Sequence, residues 1–126
     1  MPKTIPELTN APAAIGPYSV ATEANGFVFI SGQIGIHPET GKIVEGGTAA
    51  ETQQIMDNLT AILQELDLSF ADVVKTTIFL VDMQDFVLVN DIYSGYFEGH
   101  NPARSTVQVA GLPNGVNIEI ETLAAR

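Results

Sequence analysis

Apolar positions follow two rhythms along this chain. Phe27-Val28-Phe29-Ile30-Ser31 is a β-branched and aromatic run, which predicts a strand. His37-Pro38-Glu39-Thr40-Gly41 reads as a turn joining Gln33–Ile36 to a short strand near Ile43–Val44. The rhythm then changes. Ile55, Leu59, Ile62, Leu63 and Leu66 recur on one stripe, as in an amphipathic helix. Thr48 followed by Glu51 is a capping-box pattern and predicts the start of that helix, and Asp67-Leu68-Ser69 ends it. Val73 to Val81 is the strongest strand signal and suits the middle of a sheet. Asp82 is placed to cap a second helix over about Gln84–Glu98, with Phe86, Val89, Tyr93 and Phe97 at helical spacing. Gly99-His100-Asn101-Pro102 stops it. Two strands follow, about Arg104–Ala110 and Val116–Leu123. The Asn114-Gly115 pair between them predicts a tight connection and antiparallel pairing.

The resulting order, with an irregular arm over residues 1–16, predicts an α+β fold with two helices on one face of a sheet. A chain of 126 residues is expected to form one domain over residues 1–126. Alternation places Arg104, Thr106, Gln108 and Ala110 on one strand face, and Ser105, Val107 and Val109 on the other. On the last strand Asn117, Glu119 and Glu121 oppose Val116, Ile118 and Ile120. The apolar sets are expected to meet the helices. The other face, with Phe27 and Phe29 among polar residues, is suited to cover by another subunit.

Composition narrows the function classes. The formal charge of −10 repels phosphate backbones and anionic membranes, so neither nucleic acid nor membrane is an expected partner. There is no cysteine, which excludes thiolate nucleophiles and sulfur-based zinc sites. His37 and His100 stand in separate loops without ligand spacing, so no metal or other cofactor is expected. With 45% hydrophobic residues, a mean hydropathy of +0.19 and no signal-like N-terminus, a cytoplasmic or organelle-matrix protein is the expectation.

Against that acidic background Arg104, in Pro102-Ala103-Arg104-Ser105-Thr106, attracts attention, as does Glu119 fifteen residues later. A guanidinium is a planar fork that can hold a small carboxylate through two parallel hydrogen bonds. A glutamate in an apolar strand could then act on a group at the other end of that molecule. The competing reading is a salt bridge between neighbouring strands.

The segments Asn10-Ala11-Pro12-Ala13-Ala14-Ile15-Gly16-Pro17-Tyr18-Ser19, Ile30-Ser31-Gly32-Gln33-Ile34, Val74–Leu80, Pro102-Ala103-Arg104-Ser105 and Ile118-Glu119-Ile120-Glu121 resemble, in order, the reactive intermediate deaminase (RidA/YjgF) family. The resemblance implies a chorismate-mutase-like (YjgF-like) fold, assembled as a homotrimer with active sites in the clefts between subunits. It implies hydrolysis of 2-aminoacrylate and related 2-enamine and 2-imino acids to 2-keto acids and ammonia. By position, Arg104 is similar to the arginine that holds the substrate carboxylate, and Glu119 to the acidic residue beside the attacking water. Tyr18, Ser31 and Asn90 match other pocket-lining positions. Thr106 stands where a cysteine is common in the enamine-deaminating members, at a position whose role falls mostly to backbone groups. Val20 replaces a usual glutamine, and the segment from Asn90 to Arg104 is somewhat shorter than in the best-known members.

The residues alone leave other readings open. Tyr18 could simply anchor the arm, Ser31 could be an ordinary strand-end hydroxyl, and Asn90 could bond a neighbouring backbone or subunit. Gly32 and Gly35 read as a bend or bulge rather than a phosphate loop. A non-catalytic regulatory or interaction protein binding small carboxylates in the same clefts is the alternative function. RNA cleavage, proposed for some relatives, is disfavoured by the acidic charge and the lack of a catalytic histidine pair.

Overall fold

Which segments are apolar, and on how many sides they are flanked, decides the order of strands. The computed structural model describes residues 2–126. Its strands are β1 (Ala21–Ala24), β2 (Phe27–Gln33), β3 (Val73–Leu80), β4 (Ala103–Gln108) and β5 (Ile118–Ala125). They form one mixed sheet in the order β1-β2-β5-β3-β4, in which only the β3–β4 pair is parallel. The helices are α1 (Gly47–Glu65) and α2 (Phe86–Phe97). The α+β class and the two helices agree with the sequence expectation.

The helices cover one face of the sheet. Val28 and Ile30 of β2, Ile78 and Leu80 of β3, and Ile118, Ile120 and Ala124 of β5 are buried there. They pack with Ile55, Met56, Leu59, Ile62 and Leu63 of α1 and with Val89, Tyr93 and Phe97 of α2. Each large aliphatic side chain buried in this way contributes about 1.5–3 kcal/mol relative to exposure. The opposite face is open, with Phe27 and Phe29 exposed on it beside Glu119 and Glu121.

Four expectations are corrected. The last two strands are not a hairpin, because β5 lies between β2 and β3 while β4 takes the edge beside β3. The more apolar strand gains two neighbours, and the polar Ala103–Gln108 segment remains at the margin. The tight two-residue hairpin joins β1 to β2 instead, through Asn25 (φ 53°) and Gly26 (φ 80°). Val107 is exposed and does not meet the helices, whereas Arg104 turns toward α2. Near Ile43 there is one isolated bridge to Ile36 rather than a strand.

The capping box is the fourth. Gly46, at φ 119°, precedes α1 and supplies no side-chain cap. Thr48 Oγ1 donates instead to Asp85 Oδ2 at 2.8 Å, and Glu51 turns toward β5. Asp82 does cap, but over the short turn Met83–Asp85, and α2 starts at Phe86.

Candidate active site

The singled-out residues fall into two groups on opposite faces of the sheet. The register pairs Thr76 with Arg104 and Thr122, and Phe79 with Glu119. Arg104 therefore shares a face with the buried Thr76 and Thr122, and Glu119 points the other way. The two residues form no ion pair. Among the described residues the one salt bridge is Arg126–Glu23 at 2.8 Å.

Arg104, near the start of β4, lies alongside α2. Its Cζ lies 5.4 Å from the Phe86 ring centroid and 5.2 Å from that of Tyr93, both within cation–π range. Nη1 donates to Asn90 Oδ1 at 2.6 Å. Phe86, Asn90 and Tyr93 lie on one stripe of the helix, so three side chains fix the plane of the fork. Its remaining donors face a groove of about 420 Å³ lined by Asn90, Tyr93, Ser94, Asn101 and Pro102. Tyr93 is fixed in turn by a 2.6 Å hydrogen bond shared with Thr76. Burial pushes its phenol pKa up, opposed by the Thr76 bond and the Arg104 charge.

Glu119 lines a second cavity, of about 310 Å³, together with Tyr18, Ser31 and Gly32. The rest of the wall is largely apolar and includes Pro12, Ile15, Val20, Ile34, Ile36 and Pro113. Glycine at position 32 leaves room for this carboxylate, since a Cβ there would lie 1.8 Å from Glu119 Oε2 and the side chain would have to move aside. The β2–β5 register shifts between Ile30 and Gln33, a bulge that brings this backbone under the carboxylate. Burial raises the Glu119 pKa, and the charge of Glu121 raises it further. Ser31 Oγ donates to Ser19 O at 2.7 Å, tying the arm to β2 beside the exposed phenol of Tyr18.

Thr106 lines neither cavity. Its hydroxyl is buried without a partner, opposite Ile78 in the β3–β4 register. His37 and His100 are also absent from both walls. In the sequence Phe86 and Tyr93 stand out only by their helical spacing and Glu51 only as part of a capping-box pattern. Asn90, polar within an apolar helix stripe, was the signal that the stripe also seats a charge.

The Endoribonuclease L-PSP family model matches residues 8–126. The chain is 49% identical over 118 residues to the mouse 2-iminobutanoate/2-iminopropanoate deaminase, covering 94% of this chain and 87% of the relative. Among solved structures, RidA from an Antarctic Psychrobacter superposes with a TM-score of 0.93 at 38% identity, covering 98% of this chain and 99% of that one. Escherichia coli TdcF, with bound serine, superposes with a TM-score of 0.90 at 40% identity, over the same shares of the two chains. With a family model and relatives that span almost its whole length, the chain belongs to the reactive intermediate deaminase (RidA/YjgF, Ribonuc_L-PSP) family.

Proposed function

We propose that this protein hydrolyses reactive 2-enamine and 2-imino acids, such as 2-aminoacrylate, to 2-keto acids and ammonia, in clefts between the subunits of a homotrimer. The observation that carries the reading is the division of the site. A seated guanidinium with donors to spare and a carboxyl of raised pKa in an apolar cavity lie on opposite faces of one chain, each on an open surface. Two copies related by a rotation can set one group opposite the other. The mouse relative, named for deamination of 2-iminobutanoate and 2-iminopropanoate, supports the substrate class.

The chemistry follows from the groups. An enamine takes up a proton at carbon and becomes a protonated imine. Arg104 holds the substrate carboxylate and removes its rotational freedom, which fixes the imine carbon relative to Glu119. Glu119 takes a proton from water as the oxygen adds to that carbon, giving a carbinolamine. The same carboxyl returns the proton to the nitrogen, which leaves as ammonia while the hydroxyl passes its proton to the freed carboxylate and becomes the carbonyl. The raised pKa makes Glu119 a better proton acceptor than an ordinary carboxylate. The apolar wall limits bulk water around the reacting carbon.

The serine held by the TdcF relative supports a second reading, capture of a small carboxylate without turnover. One experiment separates the two. A serine dehydratase generates 2-aminoacrylate in situ, and keto-acid release is followed with native protein, Arg104→Ala and Glu119→Gln. Acceleration by the native protein that falls at least about 100-fold in each variant is the expected result. No acceleration, with retained affinity for 2-keto acids, would leave the binding reading in place.

A further inference from the structure

Glu51 is a carboxylate that the proposed chemistry does not use, and it is only 4% exposed. It makes two bonds, both to one residue. Oε1 accepts from the Asn117 backbone N at 2.8 Å, and Oε2 accepts from Asn117 Nδ2 at 2.7 Å. No lysine, arginine or histidine nitrogen lies within 4 Å of it among the described residues. Neutral donors alone hold this carboxylate, and both come from Asn117.

Asn117 stands two residues before Glu119, at the entry to β5. The same helix also braces the opposite wall of the cavity. The backbone of Gly35 approaches so closely that a Cβ there would lie 2.9 Å from the Glu51 Cα. One α1 turn pair further on, Asn58 Nδ2 donates to Ile36 O at 2.9 Å. Between these clamps the Glu119 carboxylate rests on the bare backbone of Gly32. Helix α1 thus acts as a backplate that sets the spacing between the Gly32–Ile36 wall and the start of β5.

We infer that Glu51 is a positioning residue, which fixes Asn117 and through it the seat of the Glu119 carboxyl over Gly32. The inference rests on the assignment of Glu119 as the proton-transfer group. Displacement of such a group by about 1 Å lowers turnover by up to about 100-fold without changing how substrate is gripped.

The test uses the full-length protein and two readouts. The first is kcat and KM on 2-aminoacrylate generated in situ. The second is titration of the Glu119 carboxyl carbon by NMR, which needs no substrate. Glu121 is the charged group of this chain that bears on that titration, and the Tyr18 phenol lines the same cavity. Glu51→Ala leaves two donors unpaired and admits water. We expect kcat to fall about 30-fold with KM within threefold, and the Glu119 titration to move down toward an ordinary glutamate. Glu51→Gln keeps an oxygen for the backbone N–H, and its amide can donate to the Asn117 carboxamide once that group turns over. It should restore the native titration and bring kcat to within about threefold of native. Should Glu51→Ala fail to fold, Asn117→Ala removes one of the two bonds and should give the same signature at about fivefold. An unchanged titration and kcat in the alanine variants, with only the melting temperature lowered, would overturn the inference. So would a glutamine variant as impaired as alanine. If the native protein turns over no imine, the titration still decides the positioning role, so the two readings fail separately.

Discussion

Glu119 is held in a state that costs the fold something. Its pKa lies above the ordinary glutamate range because burial and the Glu121 charge disfavour the anion. The sign of the pH dependence follows. Below the ordinary glutamate pKa the group is protonated in both folded and unfolded chains and contributes no difference. As pH rises toward the folded value the unfolded chain releases its proton first, so stability is lost and stays lower above it. Glu119→Gln removes that loss. It should melt roughly 1–3 °C above native protein at pH 7, with the difference vanishing at about pH 4 and below. Differential scanning calorimetry at both pH values checks this. A native protein that melts higher at pH 7 would mean that a cation pairs with Glu119 directly, leaving no room for a substrate between them. Arg104 presents the opposite case. Its two rings and Asn90 were all readable as one helical stripe, but only the fold brings that stripe beside β4. Thr106 was readable as a departure from the family pattern, yet its unpartnered hydroxyl could not be seen from the chain alone.

At the scale of elements, the arm before β1 forms part of the Glu119 cavity rather than a loose end. Glu65, in the last turn of α1, accepts from the backbone N of Thr9 at 3.0 Å and 2.9 Å, and also from that of Asn10. A carboxylate at a helix C-terminus opposes the helix dipole, so these amides are what make it tolerable there. Pro12, Ala13, Ile15 and Tyr18 follow within one short stretch and supply one wall. Glu65→Ala should loosen that wall, raising KM about fivefold or more while kcat changes less than twofold. Steady-state kinetics, with proteolysis of residues 1–18 as a second readout, would check it. Equal loss in kcat would instead place the arm in the chemical step. Helices and interior strands were legible because their apolar periods are long and regular. Pairing was not. Two Asn-Gly pairs occur, and both adopt left-handed conformations, yet only Asn25-Gly26 closes a hairpin. The other serves a crossover past the end of β3, a choice made by the burial of β5 rather than by its own turn. Glu51 was misread for a related reason. The Thr48/Glu51 spacing fits a cap, but α1 packs closely on the Gly35 backbone just past β2, and there Asn117 takes the carboxylate.

Over the whole molecule, Arg104 and Glu119 line separate cavities on opposite faces of one sheet. Their surroundings favour closure against further copies. Ile15 and Tyr18 stand exposed beside the Glu119 cavity, and Val87 and Leu88 stand exposed on α2. Phe27 and Phe29 leave the uncovered sheet face apolar. If each cleft takes Arg104 from one subunit and Glu119 from its neighbour, two inactive variants must complement each other. Arg104→Ala subunits retain a sound Glu119, and Glu119→Gln subunits retain a sound Arg104. In a cyclic trimer mixed at random from equal amounts, a given cleft receives both sound groups with a probability of about one quarter. Unfolding and refolding the two variants together should therefore restore about 25% of native keto-acid release, from parents that each have almost none. Sedimentation of the mixture should give a mass three times that of the 13.4 kDa chain. Refolding each variant alone is the control, and equal trimer content in all three samples removes assembly as an explanation. Mixed trimers that remain as inactive as their parents would mean that Arg104 and Glu119 never share a cleft, and the division of labour between the two faces would have to be sought in separate ligands.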